Sequence, residues 1–259
     1  MKKIIIQFMI IFTTLLLLFK YNIQIKNNLN VIFYVFAKNI IPTMFPIIFI
    51  TNYIKYNVIS SKCNKYFRFI NLLFSFAPNN AILSRSQNEL LYSTIINPLF
   101  SYSILINHFS NKNTLIIILI NLLINYILLL KNMSFLESNN TKNKDITIII
   151  KETTQSVINI FGVIIFFNIL ISLLSVFINK QFLFFIEITN GFNIISTIKA
   201  NIIKNFLIIF LNSFGGIAIF FQIKSINNDA NYFLIIKKFF ISFLISIITY
   251  LVIILFKIF

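Results

Sequence analysis

Apolar residues run through this chain in blocks long enough to cross a bilayer, and short polar segments separate them. A membrane-spanning helix needs about 20 mostly apolar residues at a rise of about 1.5 Å each. The blocks predict about seven spans, and two shorter blocks with polar turns predict re-entrant hairpins. The predicted spans are 4–19, 31–54, 90–109, 114–130, 153–178, 202–223 and 232–256, and the predicted hairpins are 67–86 and 182–198. The fold class is therefore expected to be an all-α polytopic membrane protein.

Proline, glycine and polar residues interrupt several of these blocks, and such positions predict helix breaks. Non-helical backbone at membrane depth is tolerated only where protein or a water-filled cavity can hydrogen-bond it. The predicted interruptions are "PTMFP" at 42–46, Gly162, "TNG" at 189–191 and "NSFGG" at 212–216. The residues expected to free the backbone are Pro42, Pro46, Pro78, Pro98, Gly191, Gly215 and Gly216.

The order of elements occurs twice, since 31–130 and 153–256 each contain a long block, a hairpin, a broken block and a plain block. Lysine and arginine concentrate in the loops 55–68 and 131–151, so these loops and the N-terminus are expected to be cytoplasmic. Corresponding spans then cross the membrane in opposite directions, which predicts an inverted repeat. The predicted units are an anchor with an outer loop (1–28), a first repeat unit (29–130), a polar cytoplasmic loop (131–152) and a second repeat unit (153–259).

Composition agrees with a membrane protein, because 58% of the residues are hydrophobic and only 11% are charged. A soluble domain carries about 25% charged residues. The net charge of +16 does not indicate nucleic-acid binding, because most of the 22 basic residues lie between apolar blocks. There they are expected to anchor the topology and contact phospholipids. The expected location is the cell membrane, with the lipid bilayer as partner; the sequence leaves homo-oligomerisation open.

Catalysis, metal binding and cofactor binding are not expected. The single Cys63 and single His108 exclude a disulfide framework and a Cys/His-rich metal site. The four glycines leave no P-loop or dinucleotide-binding fingerprint. The carboxylates are scattered and no serine has a visible base.

Four segments occur in the order found in one known family. They are "NIIPTMFPIIFI" (39–50), "FFIEITNGF" (184–192), "FLNSFGGIAIFFQI" (210–223) and "YFLIIKKFF" (232–240). In this respect the chain resembles the sporulation integral membrane protein YlbJ family, within the nucleoside-recognition, or Gate, domain group. The resemblance covers about residues 30 to 245, and its most specific part is "E-I-T-x-G" followed by "F-G-G-x-x-x-x-x-Q".

The inverted repeat predicts a solute site near the membrane midplane, where the breaks meet. The candidate ligands are Glu187, Thr189, Asn190, Gln222 and Asn97. Of these, Glu187, Thr189 and Gln222 match the family's motifs and Asn97 resembles its first-half break, whereas Asn190 is at the variable position of "E-I-T-x-G". An acidic residue inside a membrane is costly and marks function by default. For Glu187 two roles stay open: a ligand for solute or proton, or a cap for the N–H groups of the returning hairpin arm. The first hairpin, "SFAPNNAILS", lacks the family's glycine-rich pattern.

The expected function is binding or transport of a small polar, nucleoside-like solute, and the resemblance implies a role in endospore formation. The alternative is a non-transporting membrane scaffold that supports assembly of the spore envelope. The intact "EITNG" and "FGG…Q" segments favour a solute site, whereas the altered first hairpin favours the scaffold.

Overall fold

The computed structural model describes residues 16, 18–58, 69, 72, 75–84, 86–132 and 144–255, which form helices and no strands. The α-helices are α1 (Asn22–Val35), α2 (Ile41–Tyr53), α3 (Asn80–Leu83), α4 (Gln87–Ser93), α5 (Pro98–Leu105), α6 (Asn111–Asn132), α7 (Ile146–Leu174), α8 (Ile188–Ser196), α9 (Asn201–Phe214), α10 (Ile217–Ile226) and α11 (Phe233–Leu255). The π-helical turns are Phe36–Ile40 and Ile54–Val58, and a 3₁₀ turn covers Lys180–Leu183.

Four helical stretches of the described chain are long and apolar enough to cross a membrane: α6, α7, α9 with α10, and α11. They confirm the predicted spans 114–130, 153–178, 202–223 and 232–256. The predicted span 31–54 corresponds to α1 and α2, a pair bent by 53°. Most of the predicted span 4–19 lies outside the described residues, as does most of the first arm of hairpin 67–86. The chain is thus an all-α membrane protein, whereas the total of seven spans stays a prediction.

Two of the predicted breaks are confirmed by non-helical backbone. Residues 94–97 separate α4 from α5, because a residue that precedes proline is driven out of the helical region. Gly215 and Gly216 separate α9 from α10, and both have φ of 83°. Glycine adopts this left-handed backbone without the clash that a Cβ would cause.

The break predicted at 42–46 is displaced, and two other predicted breaks are wrong. The chain bends by 53° between Lys38 and Ile41, just before Pro42, where the missing proline N–H and the proline ring disturb the preceding turn. It then stays helical through Pro46, inside α2. Gly162 lies within the continuous α7, where an exposed glycine is tolerated. The turn predicted at 189–191 is the first turn of α8, and Gly191 is helical and buried. The loop predicted at 131–151 is also shorter, since α6 extends to Asn132 and α7 begins at Ile146.

The two halves share one apolar core. Ala77 from the turn of the first hairpin packs with Leu90 and Leu91 of α4, and with Phe214 and Phe220 on either side of the glycine break. The central helix α7 contacts α1, α2 and α10, while α9 packs along α11 and α4 along α6. Helices from the first half are therefore interleaved with helices from the second.

Polar contacts join helix ends that are distant in sequence. Asn57 and Lys144 exchange two hydrogen bonds, of 3.2 and 3.3 Å. Gln87 donates to the Asp229 carbonyl at 2.6 Å and accepts from the Asn231 N–H at 3.1 Å. The end of α2 therefore lies beside the start of α7, and the start of α4 lies beside the start of α11.

A third pair of helix ends is formed by α5 and α9. Burial, and then the positive charge of Lys204 near the start of α9, lower the pKa of His108, which follows α5. The end of α5 and the start of α9 are thus close enough to interact electrostatically.

Candidate functional site

The second hairpin, residues 180–196, rests with its turn on the start of α10. The Ile217 N–H donates to the Phe185 carbonyl at 3.0 Å, and the Ala218 N–H donates to the Ile186 carbonyl at 2.9 Å. A Cβ on Gly216 would lie only 3.2 Å from the carbonyl oxygen of Ile186. The glycine break therefore exposes N–H groups that the hairpin turn accepts, and it permits the close approach.

The first hairpin has the same relation to the break between α4 and α5. The Ala77 N–H donates to the Ile95 carbonyl at 2.8 Å. The Asn80 amide donates to the Leu90 carbonyl at 3.3 Å, to Ser93 Oγ at 2.8 Å and to Thr94 Oγ1 at 3.4 Å. In both halves a hairpin turn is thus hydrogen-bonded to the broken helix that follows it, as unpaired backbone inside a membrane requires.

The hairpin turns and the helix breaks enclose a central cavity of about 70 Å³. The predicted solute ligands Asn97, Glu187, Thr189 and Gln222 line this cavity, together with Gly215. Its other lining residues are Thr43, Met44, Ala77, Ile96, Phe100, Ile160, Ile164, Ile188, Ala218 and Ile219. The polar groups come from both halves of the chain, as the sequence predicted for a shared site.

Glu187 caps α8 and also lines the central cavity. Its carboxylate accepts a hydrogen bond from Thr189 Oγ1 at 2.7 Å and another from the Asn190 N–H at 2.9 Å. The side chain is only 2% exposed, so these bonds and the positive end of α8 stabilise it in place of water. The capping role is present in the structure, and the cavity leaves a ligand role available.

Asn97 and Gln222 complete the polar lining from the other elements. Asn97 Oδ1 accepts the Leu99 N–H at 2.9 Å and thereby starts α5 just after the first break. Gln222 lies on α10 and is 7% exposed. Residues within the first turn of α5, of α8 and of α10 line this cavity, so the positive ends of three helices are directed toward it.

A second cavity, of about 350 Å³, adjoins the central cavity and contains the fifth predicted residue, Asn190. We call it the amide cavity, because its lining includes the side chains of Asn28, Gln181, Asn168, Asn190 and Asn193. Its remaining lining residues are Ile32, Ile164, Lys180, Thr189, Ile194 and Thr197. Thr189 and Ile164 line both cavities and form the boundary between them.

Hydrogen bonds hold the amide cavity together across α1, α7 and the second hairpin. The Asn190 side chain donates to Asn168 Oδ1, and Asn168 donates to the Ile164 carbonyl at 2.8 Å. Asn28 on α1 donates to Ser172 Oγ at 2.8 Å. The amide groups of Asn28, Asn168 and Asn190 are therefore held in place by their neighbours.

Sequence reasoning missed most of the amide cavity. Asparagine is abundant throughout this chain, so an individual asparagine in the sequence is weak evidence for a functional site. The available signal was spacing, because Asn168 and Ser172 lie one turn apart on the same buried face of α7. Nothing local to Asn28 or Asn193 indicated that they would face the same space.

Four of the break residues lie away from the polar lining of the cavities. Pro42 and Pro46 are exposed on α2, whereas Pro78 is buried in the turn of the first hairpin. Gly191 is buried against the 3₁₀ turn and α9 rather than placed at a cavity. In the described part of the chain, no three His, Cys, Asp or Glu side chains are grouped to hold a metal ion.

Comparison with known proteins identifies no similar protein. No protein-family model matches the chain, no curated protein matches it, and no solved structure matches its fold.

Proposed function

We propose that this membrane protein binds and passes a small polar, nucleoside-like solute through the core formed by its two hairpins and two broken helices. The observation that carries the proposal is the central cavity, where Asn97, Glu187, Thr189 and Gln222 from separate elements converge. Buried polar groups that converge on a cavity at helix breaks are typical of solute sites in transporters.

The two cavities suit different parts of the solute path. Pockets for small molecules begin at about 300 Å³, so the amide cavity of about 350 Å³ has room for a nucleoside-sized solute. The central cavity of about 70 Å³ has room for a few waters or for one polar group of the solute. We therefore assign initial binding to the amide cavity and the deeper contact to Glu187 and Thr189.

The grouping of helix ends supports the inverted repeat on which this function rests. The ends joined by Asn57 with Lys144 and by Gln87 with Asn231 are those that the basic-loop rule assigns to the cytoplasm. His108 and Lys204 lie at the ends assigned to the outside. Opposite directions of the two units would let one rock against the other around a fixed site.

A scaffold that has lost transport is the second candidate. Glu187 already has two hydrogen-bond partners on its own helix, and the first hairpin lacks the family's glycine-rich turn. If Glu187 only caps α8, it is not available to bind a solute. The protein would then support spore-envelope assembly as a structural component.

Uptake into liposomes separates the candidates. The purified chain is reconstituted, and entry of tritiated uridine is compared for the parent, Glu187→Gln and the control Glu152→Gln, whose carboxylate pairs with Lys144 at 2.5 Å near the start of α7. We expect Glu187→Gln to lower uptake by about 10- to 150-fold, since a hydrogen bond to a charged group contributes about 1.5–3 kcal/mol. The control should retain parental uptake.

Two results would count against the proposal. Uptake by the parent no faster than by empty liposomes would favour the scaffold. Equal uptake by the parent and Glu187→Gln would restrict Glu187 to its capping role.

A further inference from the structure

A buried lysine lies in the second turn of a helix of membrane-spanning length. Lys238 on α11 is 1% exposed, and its ammonium group donates to Asn125 Oδ1 on α6 at 3.0 Å. A charged side chain in such a position is costly, and it usually marks a functional site. Lys238 lines neither of the two cavities, so the proposed solute path does not use it.

A chain of hydrogen bonds connects Lys238 to the glycine break. Asn125 donates to the Asn121 carbonyl at 2.8 Å and to Asn121 Oδ1 at 2.9 Å. Ser213 on α9 donates to the same Asn121 Oδ1 at 3.2 Å. Ser213 precedes Gly215 by two residues, so this polar chain (Lys238, Asn125, Asn121 and Ser213) ends where α9 stops.

The polar chain has unused hydrogen-bonding capacity beside it. A lysine ammonium has three donors, and Asn125 takes one of them. Ser242 Oγ, one turn along the same face of α11, and Asn212 Oδ1, next to Ser213, are buried without a partner among the described residues. Partly satisfied polar networks can change partners at low cost, whereas fully satisfied ones are rigid.

The charge of Lys238 has no carboxylate to balance it within the described chain, where the ion pair present is Lys144 with Glu152. The titratable groups on the elements that pack against α11, and on α11 itself, are Glu89 and Tyr92 (α4), Lys112, Tyr126 and Lys131 (α6), Lys204 (α9), Lys224 (α10), Lys237 and Tyr250. Loss of a proton would therefore remove an isolated charge from an apolar interior, which such an interior favours.

From this geometry we infer that Lys238 is a proton-binding site whose charge state sets the position of the end of α9, and through it the glycine break. In the protonated state the ammonium group donates to Asn125 and holds the polar chain as observed. On release, the proton passes to water, and the neutral amine gains a lone pair. The Ser242 hydroxyl can then donate to that lone pair, which frees Asn125, Asn121 and Ser213 to change partners.

The absence of tryptophan in the sequence provides a direct test. Phe100 lines the central cavity, so Phe100→Trp introduces a single fluorophore that reports the polarity beside the breaks. Fluorescence emission is recorded from protein in lipid nanodiscs between about pH 6 and pH 10. The upper limit of this range lies near the ordinary pKa of lysine, about 10.4. No solute is added, so the outcome does not depend on the proposed transport.

The variants fix Lys238 in either charge state. We expect a titration step in the emission of the Phe100→Trp parent, and the same step in Lys237→Met, whose exposed ammonium group lies over the Phe233 ring. Lys238→Met should remain at the high-pH emission and Lys238→Arg at the low-pH emission, because arginine keeps its charge.

A parent without a step, or a step that persists in Lys238→Met and Lys238→Arg, would overturn the inference. If Lys238→Met fails to fold, Lys238→Arg alone decides, because its donor and charge keep the bond to Asn125 available. If the step is lost in Lys237→Met as well as in Lys238→Met and Lys238→Arg, the inference is also contradicted, because the effect is then not specific to the buried lysine.

Discussion

Gly191 and Gly162 differ in what surrounds them rather than in their own backbone, since both are helical. A Cβ on Gly191 would lie 2.2 Å from the carbonyl oxygen of Phe184 and 2.5 Å from Leu211 Cδ2. A Cβ on Gly162 would meet nothing within 4 Å. Both glycines stand within apolar blocks, so the sequence could not distinguish a packing glycine from a tolerated one.

Alanine substitution should therefore have opposite effects at these two positions. Gly191→Ala should lower the free energy of unfolding by about 1–3 kcal/mol, because the turn and α9 would have to move apart. Gly162→Ala should raise it by up to about 1 kcal/mol, because alanine favours the helix. Thermal unfolding in detergent measures both, and equal melting temperatures for the two variants would contradict the packing described for the second hairpin.

Glu187 explains at the residue scale why the predicted turn was misplaced. The letters "TNG" are typical of a turn, and local turn chemistry alone would end a helix there. The carboxylate two residues earlier accepts the Thr189 hydroxyl and the Asn190 N–H, and so begins a helix instead. A cap formed by glutamate, which is uncommon in that role, is hard to anticipate from sequence.

At the scale of elements, the sequence predicted breaks best where the cause is covalent or local. Pro98 and the pair Gly215–Gly216 interrupt helices as expected, since proline restricts its predecessor and glycine permits positive φ. What each break contacts could not be predicted. The bonds from Ile217 to Phe185 and from Ala77 to Ile95 depend on how the hairpins dock.

The first hairpin should depend on Asn80 for its attachment to α4. Asn80→Ala removes the donors to Leu90, Ser93 and Thr94, and should lower the free energy of unfolding by about 1–3 kcal/mol, because buried acceptors lose their partner. The matched control is Asn88→Ala, at an exposed position on α4. Thermal unfolding compares the two variants. An equally large decrease in the free energy of unfolding of Asn88→Ala would show that Asn80 does not specifically attach the first hairpin to α4.

At the scale of the whole molecule, the lengths of the apolar blocks identified the four spanning stretches that the structure describes, because bilayer thickness sets the length of a span. The buried polar residues inside the helix bundle could not be predicted from the sequence. Lys238 and Asn168 resemble ordinary members of an asparagine- and lysine-rich chain until the packing of α6, α7 and α11 buries them. The cavities likewise arise from the way the halves interleave.

The approach of α5 to α9 can be checked through the single histidine. Burial and the charge of Lys204 lower the pKa of His108 below its ordinary value of 6.5. The unfolded chain then binds a proton at His108 more readily than the folded chain does. The contribution of neutral His108 to the free energy of unfolding is therefore fully present above about pH 6.5, and it is lost as the pH falls through the lower pKa of the folded state.

Removal of the Lys204 charge should move that titration in a defined direction. NMR titration of the imidazole should give a pKa below 6.5 in the parent and a higher pKa in Lys204→Gln. Lys199→Gln, at an exposed position five residues earlier, should leave the parental pKa unchanged. An unchanged pKa in Lys204→Gln would mean that the two helix ends are not close in the membrane.

The central claim is that polar, water-filled cavities lie among the broken helices of an otherwise apolar bundle. A cysteine reacts as its thiolate, which forms in water and is suppressed in apolar surroundings. Single cysteines are placed at Asn193 in the amide cavity and at Leu123, which is 58% exposed on the apolar surface of α6, after replacement of Cys63 by serine.

The decisive measurement is the rate at which a membrane-impermeant methanethiosulfonate modifies these two cysteines in right-side-out and inside-out vesicles. The account predicts that Asn193→Cys reacts at least about tenfold faster than Leu123→Cys, and from one side of the membrane only. Equally slow modification of both cysteines from both sides would contradict a water-filled amide cavity and, with it, the proposed solute path.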